Sequence, residues 1–394
     1  MPPKKKNKKK PSRSTRNRRI FKYALILIAI TILTGILLVY SVYSGLWGKL
    51  PDYHELRNIR NDEASLLYSE DGELLGKYYI ENRTNVNFKH ISPNAVNALI
   101  ATEDIRFYEH EGVDKISMLR VFFKTFLLGH RNSGGGSTLS QQLAKNLYPR
   151  EEQQVTFIPI VKIKEMFTAH RLENIYTKDE ILTLYLNTVS FGENTFGIES
   201  AAQKYFSTSA SELTVPQAAT LIGMLKGPSR YNPRLHPERA LQRRNTVIQQ
   251  MIKYHFIPEE NGEELKQSDL ALQHQVVTHY SGLAPYLREK IRREAQEIIQ
   301  AYNETYGTDY NLYKDGLHLT TTLDAQLQRY AEEAVSAHMR NLQDSYYTHL
   351  NKKEPWDKHP HILKNAIQNS LIFKRSKNQG LTDKEILQRM NEKK

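Results

Sequence analysis

Two polar clusters, about 30 residues apart, carry the groups best suited to chemistry in this 394-residue chain. The first is Glu103-Asp104-Ile105-Arg106-Phe107-Tyr108-Glu109-His110-Glu111-Gly112. The second is Gly135-Gly136-Ser137-Thr138-Leu139-Ser140-Gln141-Gln142-Leu143-Ala144-Lys145-Asn146. Glu103 ends an apolar helical stretch, where a carboxylate can be held partly out of water and so be suited to taking a proton. The glycine-rich turn runs into hydroxyls, two amides and one ammonium, which together suit an oxygen-rich ligand. The pair points to a base facing a bound sugar or phosphate group. Val161-Lys162-Ile163-Lys164-Glu165 adds a third group of charges.

Joining a sugar hydroxyl to a carbon that carries a phosphate or pyrophosphate leaving group needs three parts. These are a base for the hydroxyl, cations for the departing group, and donors that hold the rings in line. Glu103 is the candidate base and Glu165 the candidate second carboxylate. Lys145, Lys162 and Lys164 are the candidate phosphate partners. Glu165 could also hold a divalent cation, Mg or Mn, that bridges the pyrophosphate, because Mg²⁺ commonly takes one or two carboxylates plus phosphate oxygens. Nothing calls for an organic cofactor. Each residue also has a plainer reading. Glu103 alone is a solvated helix-end carboxylate, Lys164 and Glu165 an exposed helical pair, and His110 a structural hydrogen-bonding residue. Asp104 is read as pairing locally and shaping the site.

The elements that must hold these groups are mostly helical. Ser92-Pro93 gives an N-cap with proline at the first helical position. Ala95, Leu99 and Thr102 then share a face, and the helix delivers Glu103 near its end. Thr177-Lys178-Asp179-Glu180 is a capping box opening Ile181 to Asn187, and Thr214-Val215-Pro216-Gln217 opens Ala218 to Leu225 in the same way. Pro237 to Tyr254 is periodic again, and nothing between about 80 and 260 alternates as a strand would. Outside that stretch, Asp71-Gly72 between apolar runs predicts a hairpin over 64–79. Leu317 to Thr322 reads as a strand, with Asp324 capping a long polar helix beyond it.

The formal charge of +12 invites a nucleic-acid reading, which its placement argues against. Eleven of the positive charges fall in residues 1–22, which contain no acid, leaving +1 for the rest of the chain. That tail abuts Tyr23 to Gly48, 26 residues without a charge. About 20 apolar residues span a bilayer core as a helix, whereas the apolar part of a cleaved signal peptide is roughly 7–15 residues long. The stretch is therefore read as an uncleaved anchor, with the basic tail in the cytoplasm against anionic lipid and residues from about 50 onward outside. Tyr40, Tyr43 and Trp47 would then lie at the outer interface. With no cysteine, disulfides and thiolate metal sites are excluded. Ile116 to Leu128 is unusually apolar for an external domain, and has two readings, a buried core helix or a segment dipping into the outer leaflet.

Residues from about 85 to 250 resemble the whole transferase domain of class A penicillin-binding proteins and their monofunctional relatives, the peptidoglycan glycosyltransferases. The two clusters match the family's first and second motifs. The third, usually Arg-Lys-x-x-Glu, has Val161 in place of the leading Arg. Lys178-Asp179-Glu180-Ile181-Leu182 through Tyr185-Leu186-Asn187 matches the fourth, and Ala218-Ala219-Thr220-Leu221-Ile222 to Gly227-Pro228-Ser229-Arg230-Tyr231-Asn232-Pro233 the fifth. The resemblance implies Glu103 as the base on the acceptor hydroxyl and Glu165 as an aid at the pyrophosphate. It carries substrate contacts onto Asp104, Phe107, His110, Ser137, Thr138, Gln142, Lys145, Lys162, Lys164 and Asn187. Arg150 is the one Arg available for a phosphate contact between the second and third motifs.

The fold implied is mainly α, a lysozyme-like helical transferase domain with a small membrane-associated lobe. An N-terminal transmembrane helix and a small α+β linker region at the C-terminus complete it. The parts would be a tail at 1–22, an anchor at 23–48, a hairpin-containing connector at 49–84, a glycosyltransferase domain at 85–255, and from 256 to 394 a linker with the truncated start of a transpeptidase-type domain. The implied reaction polymerises lipid II into β-1,4 glycan strands at the outer face of the bacterial inner membrane, with inversion. Implied partners are lipid II, the growing strand, the membrane and other cell-wall synthesis proteins, without nucleic acid. Neither Ser-x-x-Lys nor Lys-Thr-Gly occurs, so penicillin binding is not expected. Two other classes compete: a membrane-anchored glycan hydrolase, since paired carboxylates also cut glycans, and a non-catalytic cell-wall scaffold.

Overall fold

The computed structural model describes residues 13–59, 61–122, 136–149, 157–273, 282–349, 358–378 and 380–391. They divide into two units, Met1–Thr321 and Thr322–Lys394. In the first, the charge-free stretch lies in α1 (Arg13–Tyr43) as far as Tyr43, and residues 44–48 form turns beyond it. Its part Phe21–Tyr43 is long and apolar enough to cross a membrane, and its side chains are almost all exposed. Beyond it comes α2 (Tyr53–Arg57), capped by Asp52, whose carboxylate accepts the Glu55 N–H at 2.7 Å.

The expected hairpin is present as β1 (Ser65–Tyr68) and β2 (Leu74–Tyr78), antiparallel, with Gly72 at φ +82° in the turn. That φ suits glycine, which has no Cβ to clash. A third strand, β5 (His318–Thr320), lies parallel to β1, giving the order β2-β1-β5. Two further short strands, β3 (Asn82–Arg83) and β4 (Thr195–Phe196), pair in parallel within the region read as almost all helical.

The helical body begins with α3 (Pro93–Glu103), where the Ser92 hydroxyl accepts the Asn94 N–H as the sequence predicts. Ala95, Ala98 and Leu99 are fully buried on its inner face. After it come α4 (Lys115–Phe122), α5 (Leu139–Leu147) and α6 (Ile158–Ile175). Next are α7 (Lys178–Thr188), α8 (Ile198–Phe206), α9 (Val215–Met224) and α10 (Pro237–Lys253). Both predicted capping boxes form, Thr177 with Glu180 and Thr214 with Gln217. One continuous core joins α3, α5, α7, α8, α9 and α10 through residues such as Leu99, Leu143, Tyr185, Leu221 and Ile248. Burying each such side chain contributes about 1.5–3 kcal/mol. The unit closes with α11 (Glu259–Gln267) and α12 (Pro285–Tyr306) before β5.

On α4, Ile116, Met118 and Leu119 are exposed by 64, 41 and 57 %. The buried-helix reading of that segment therefore fails for its described part, while residues 123–128 lie outside the described residues. The second unit contains α13 (Ala325–His349), α14 (Pro360–Asn369), α15 (Leu371–Asn378) and α16 (Asp383–Asn391). Asp324 accepts the Leu327 N–H at 2.8 Å, which caps α13 as expected.

Candidate active site

The C-terminus of α3, the N-terminal half of α5, the start of α6 and the α9–α10 corner surround a cavity of about 580 Å³. Helix ends converge there because α3 packs on both α9 and α10, while α5 packs on α6 and α7. Seven of the sequence-predicted residues line it: Glu103, Asp104, Ser137, Thr138, Gln142, Lys145 and Lys162. Motifs far apart in the chain thus share one space.

Glu103 stands at the end of α3 with its side chain 19 % exposed. Its Oε2 accepts Gln142 Nε2–H at 3.0 Å. The amide of Gln142 is itself fixed, since its Oε1 accepts the Tyr185 hydroxyl at 3.0 Å. Tyr185 is buried, and burial, with the Glu103 charge nearby, pushes its hydroxyl well above the ordinary tyrosine range, so it remains a donor. Across the cavity the Arg243 guanidinium comes within 3.9 Å of Glu103 Oε1.

Asp104 tethers the two motifs. Its Oδ2 accepts the Leu139 N–H at the first turn of α5 and lies 3.0 Å from His110 Nε2. A carboxylate at a helix N-terminus is favoured by the unsatisfied N–H groups there. Thr138 caps the same helix, accepting Gln141 N–H and donating to Gly112 C=O at 2.6 Å. Gly112 takes φ +83°, and a Cβ on it would meet the Ala169 and His170 backbone at 2.8 Å, so α6 seats directly against this turn.

Lys162 joins the cavity to α6 by bonding Ser137 Oγ at 3.0 Å and lying 2.6 Å from Glu165 Oε2. Glu165 itself is buried and does not line the Glu103 cavity. With Lys164 it lines a separate pocket of about 160 Å³ bounded by Lys49, Pro51 and Glu55. Burial lowers the Lys164 ammonium from its ordinary value. Lys162 thus links Glu165 to the Glu103 cavity.

Three predicted contacts lie elsewhere. Phe107 is fully buried in the core, under the Lys178 ammonium at 4.5 Å. His110 is buried between Asp104 and Glu173, the plainer role read for it from sequence. Asn187 spends its amide on the Val86 backbone, accepting from N at 3.1 Å and donating to O at 2.9 Å. None of the three lines the Glu103 cavity, and Asn187 lines a separate pocket of about 1040 Å³. Val161, at the position of the missing Arg, is buried in α6. Arg150 lies outside the described residues.

Sequence reasoning missed most of the cations. Arg106, Arg120, Lys226 and Arg243 all line the cavity. Arg106 stood inside the first quoted motif and is held by Asp114, with Nε at 3.1 Å. Burial would raise the Asp114 carboxylate, but bonds from Ser117 and the Arg106 guanidinium outweigh it and hold it down to about 2. Among the described residues no three His, Cys, Asp or Glu side chains converge to hold a metal. Glu165 offers a single carboxylate already in contact with an ammonium, so it does not fit a resident divalent cation as arranged.

The Transglycosylase family model matches residues 71–252, the segment that supplies all the described lining residues of this cavity except Tyr254. More particularly, the chain is similar to penicillin-binding protein 1A. It is 37 % identical over 318 residues to that protein of Escherichia coli K12, covering 80 % of this chain and 36 % of the relative. With the Vibrio cholerae protein it shares 32 % over 343 residues, covering 86 % and 39 %. The chain thus spans less than two fifths of the length of these relatives. The crystal structure of penicillin-binding protein 1A from Haemophilus influenzae matches 70 % of this chain and 29 % of its own at 22 % identity, with a TM-score of 0.37.

Proposed function

We propose that this chain is a peptidoglycan glycosyltransferase that polymerises lipid II into β-1,4 glycan strands. The observation that carries the reading is a half-buried carboxylate, Glu103, held by Gln142 in a cavity whose other groups are mainly cations and hydroxyls. Glu103 takes the proton of the acceptor 4-hydroxyl. That oxygen bonds to the donor's anomeric carbon from the face opposite the leaving group, while the carbon–oxygen bond to undecaprenyl pyrophosphate breaks and its electron pair leaves with the phosphate. The configuration at that carbon inverts.

Lys145, Lys162 and Arg106 carry the charge of the departing pyrophosphate, acting through space as cations in a partly water-excluded site. Glu165 acts through Lys162, setting the position of its ammonium. No step is routed through a metal. The apolar α1 anchors the chain in the bacterial inner membrane with the basic tail in the cytoplasm, so the cavity meets a substrate whose lipid stays in the bilayer. The growing strand is its second partner.

A glycan hydrolase could use the same carboxylate, but it has no pyrophosphate to neutralise, and the set of cations around Glu103 favours the transferase. The deciding experiment incubates the protein with lipid-linked disaccharide and, separately, with preformed glycan. Polymer from the first supports the transferase. Shortening of the second without polymer would overturn it.

A further inference from the structure

Arg243 belongs to α10, more than 130 residues from Glu103 in sequence, and no motif singled it out. Its side chain is 12 % exposed and its Nη2 lies 3.9 Å from Glu103 Oε1. Its Nε donates to the Gly223 carbonyl at 3.4 Å, and a Cβ on Gly223 would come within 3.1 Å of Arg243 Cγ. Glycine at 223 thus leaves the arginine stem close room where α9 meets α10. On the other side of the carboxylate, Gln142 occupies Oε2.

The charged groups that share the cavity with Glu103 are Asp104 and Arg106 from the turn after α3, Asp114 and Arg120 from the edge and body of α4, Lys145 from α5, Lys162 from α6, Lys226 from the α9–α10 corner, and Arg243. Among the described residues, Arg243 is the cation that comes within ion-pair distance of Glu103.

We propose that Arg243 is a positioning residue for the base, fixing Oε1 of Glu103 as the atom that receives the acceptor proton. With Oε2 tied to Gln142, rotation of the carboxylate is restrained, and the Arg243 charge keeps Oε1 turned into the cavity. At 3.9 Å the two leave room for an acceptor hydroxyl to give its proton to Oε1 beside the guanidinium. The inference rests on Glu103 being the base, and the test separates the two.

Full-length protein in detergent is assayed on lipid-linked disaccharide across pH as wild type, Arg243→Gln, Arg243→Lys and Glu103→Gln. Arg243→Gln is expected to lower kcat about 100-fold with KM changed less than about threefold, because the lost interaction serves the proton transfer. Removing the cation disfavours the ionised carboxylate, so the acidic limb of its kcat profile moves to higher pH. Arg243→Lys restores part of kcat and returns the limb toward wild type. A merely structural arginine would lower the melting temperature without moving that limb. Wild-type kcat and an unmoved limb in Arg243→Gln, with Glu103→Gln inactive, would overturn the role of Arg243 alone. Normal turnover by Glu103→Gln would overturn the base as well.

Discussion

Lys162 and Glu165 stand one turn apart on α6, with Nζ 2.6 Å from Oε2, and the same ammonium reaches Ser137 across the cavity edge. One lysine thereby ties a buried carboxylate to the glycine-rich turn. Lys162→Ala removes that cation from a carboxylate that is 3 % exposed. Because the lysine itself is 39 % exposed, the stability loss is expected near 1–2 kcal/mol, below the range for fully buried pairs. Lys162→Ala with Glu165→Gln should regain part of it, a non-additivity that chemical denaturation of the four species in a double-mutant cycle would detect. Strict additivity would mean the pair is not coupled.

Tyr185 sets which way the Gln142 amide faces, and so which group of it meets Glu103. Tyr185→Phe leaves the packing and removes the donor. We expect kcat to fall about tenfold while stability drops by only about 1 kcal/mol, the net value of one hydrogen bond. Steady-state rates alongside thermal melts check this. Unchanged kcat would show that Gln142 holds its orientation without help.

Asp114 caps the first turn of α4, accepting Ile116 and Ser117 N–H at 3.0 Å each, and anchors Arg106 at the cavity rim. Its folded-state value of about 2 lies below the ordinary carboxylate range. A depressed value of this kind contributes stability that is full above the unfolded value near 4 and is lost as pH falls toward 2. Asp114→Asn keeps a capping side chain but removes the charge that Arg106 pairs with, and should therefore cost about 1–2 kcal/mol at neutral pH. The gap between variant and wild type should close between about pH 4 and pH 2. Melts across that window test it, and a gap independent of pH would contradict it.

Since Glu165 is engaged by Lys162 and the cavity supplies its own cations, polymerisation should not need a metal. Adding a chelator to metal-free protein and substrate should leave the rate within about twofold. A loss of tenfold or more, restored by Mg²⁺ or Mn²⁺, would assign Glu165 to a cation after all.

Local signals were legible in the chain because they act over three or four residues. The Ser92 cap, the Thr177 and Thr214 capping boxes and the Asp71-Gly72 turn all form as their residue types require. Glu103, Gln142 and Lys162 share one cavity, as their motifs implied. What the sequence hid depends on long-range packing. The parallel pairing of β5 with β1 joins residues about 250 apart, and Arg243 meets Glu103 only because α10 lies against α3 and α9. Period and motif order carry no information on which side of α6 a carboxylate faces. Lys162 and Glu165, at a spacing of three, meet each other, yet Lys162 lines the large cavity while Glu165 lines the small one. Phe107 and His110 sit in a motif of reactive-looking residues and serve as its buried scaffold.

Glu103→Gln, assayed for polymer formation and for substrate binding in one preparation, probes the proposed chemistry most directly. The amide keeps the shape of the side chain and its place beside Gln142 but cannot take a proton at neutral pH. Turnover is expected to fall at least about 1,000-fold while the dissociation constant for lipid-linked disaccharide stays within about threefold. Polymerisation at the wild-type rate, or loss of binding in step with loss of turnover, would contradict Glu103 as the base.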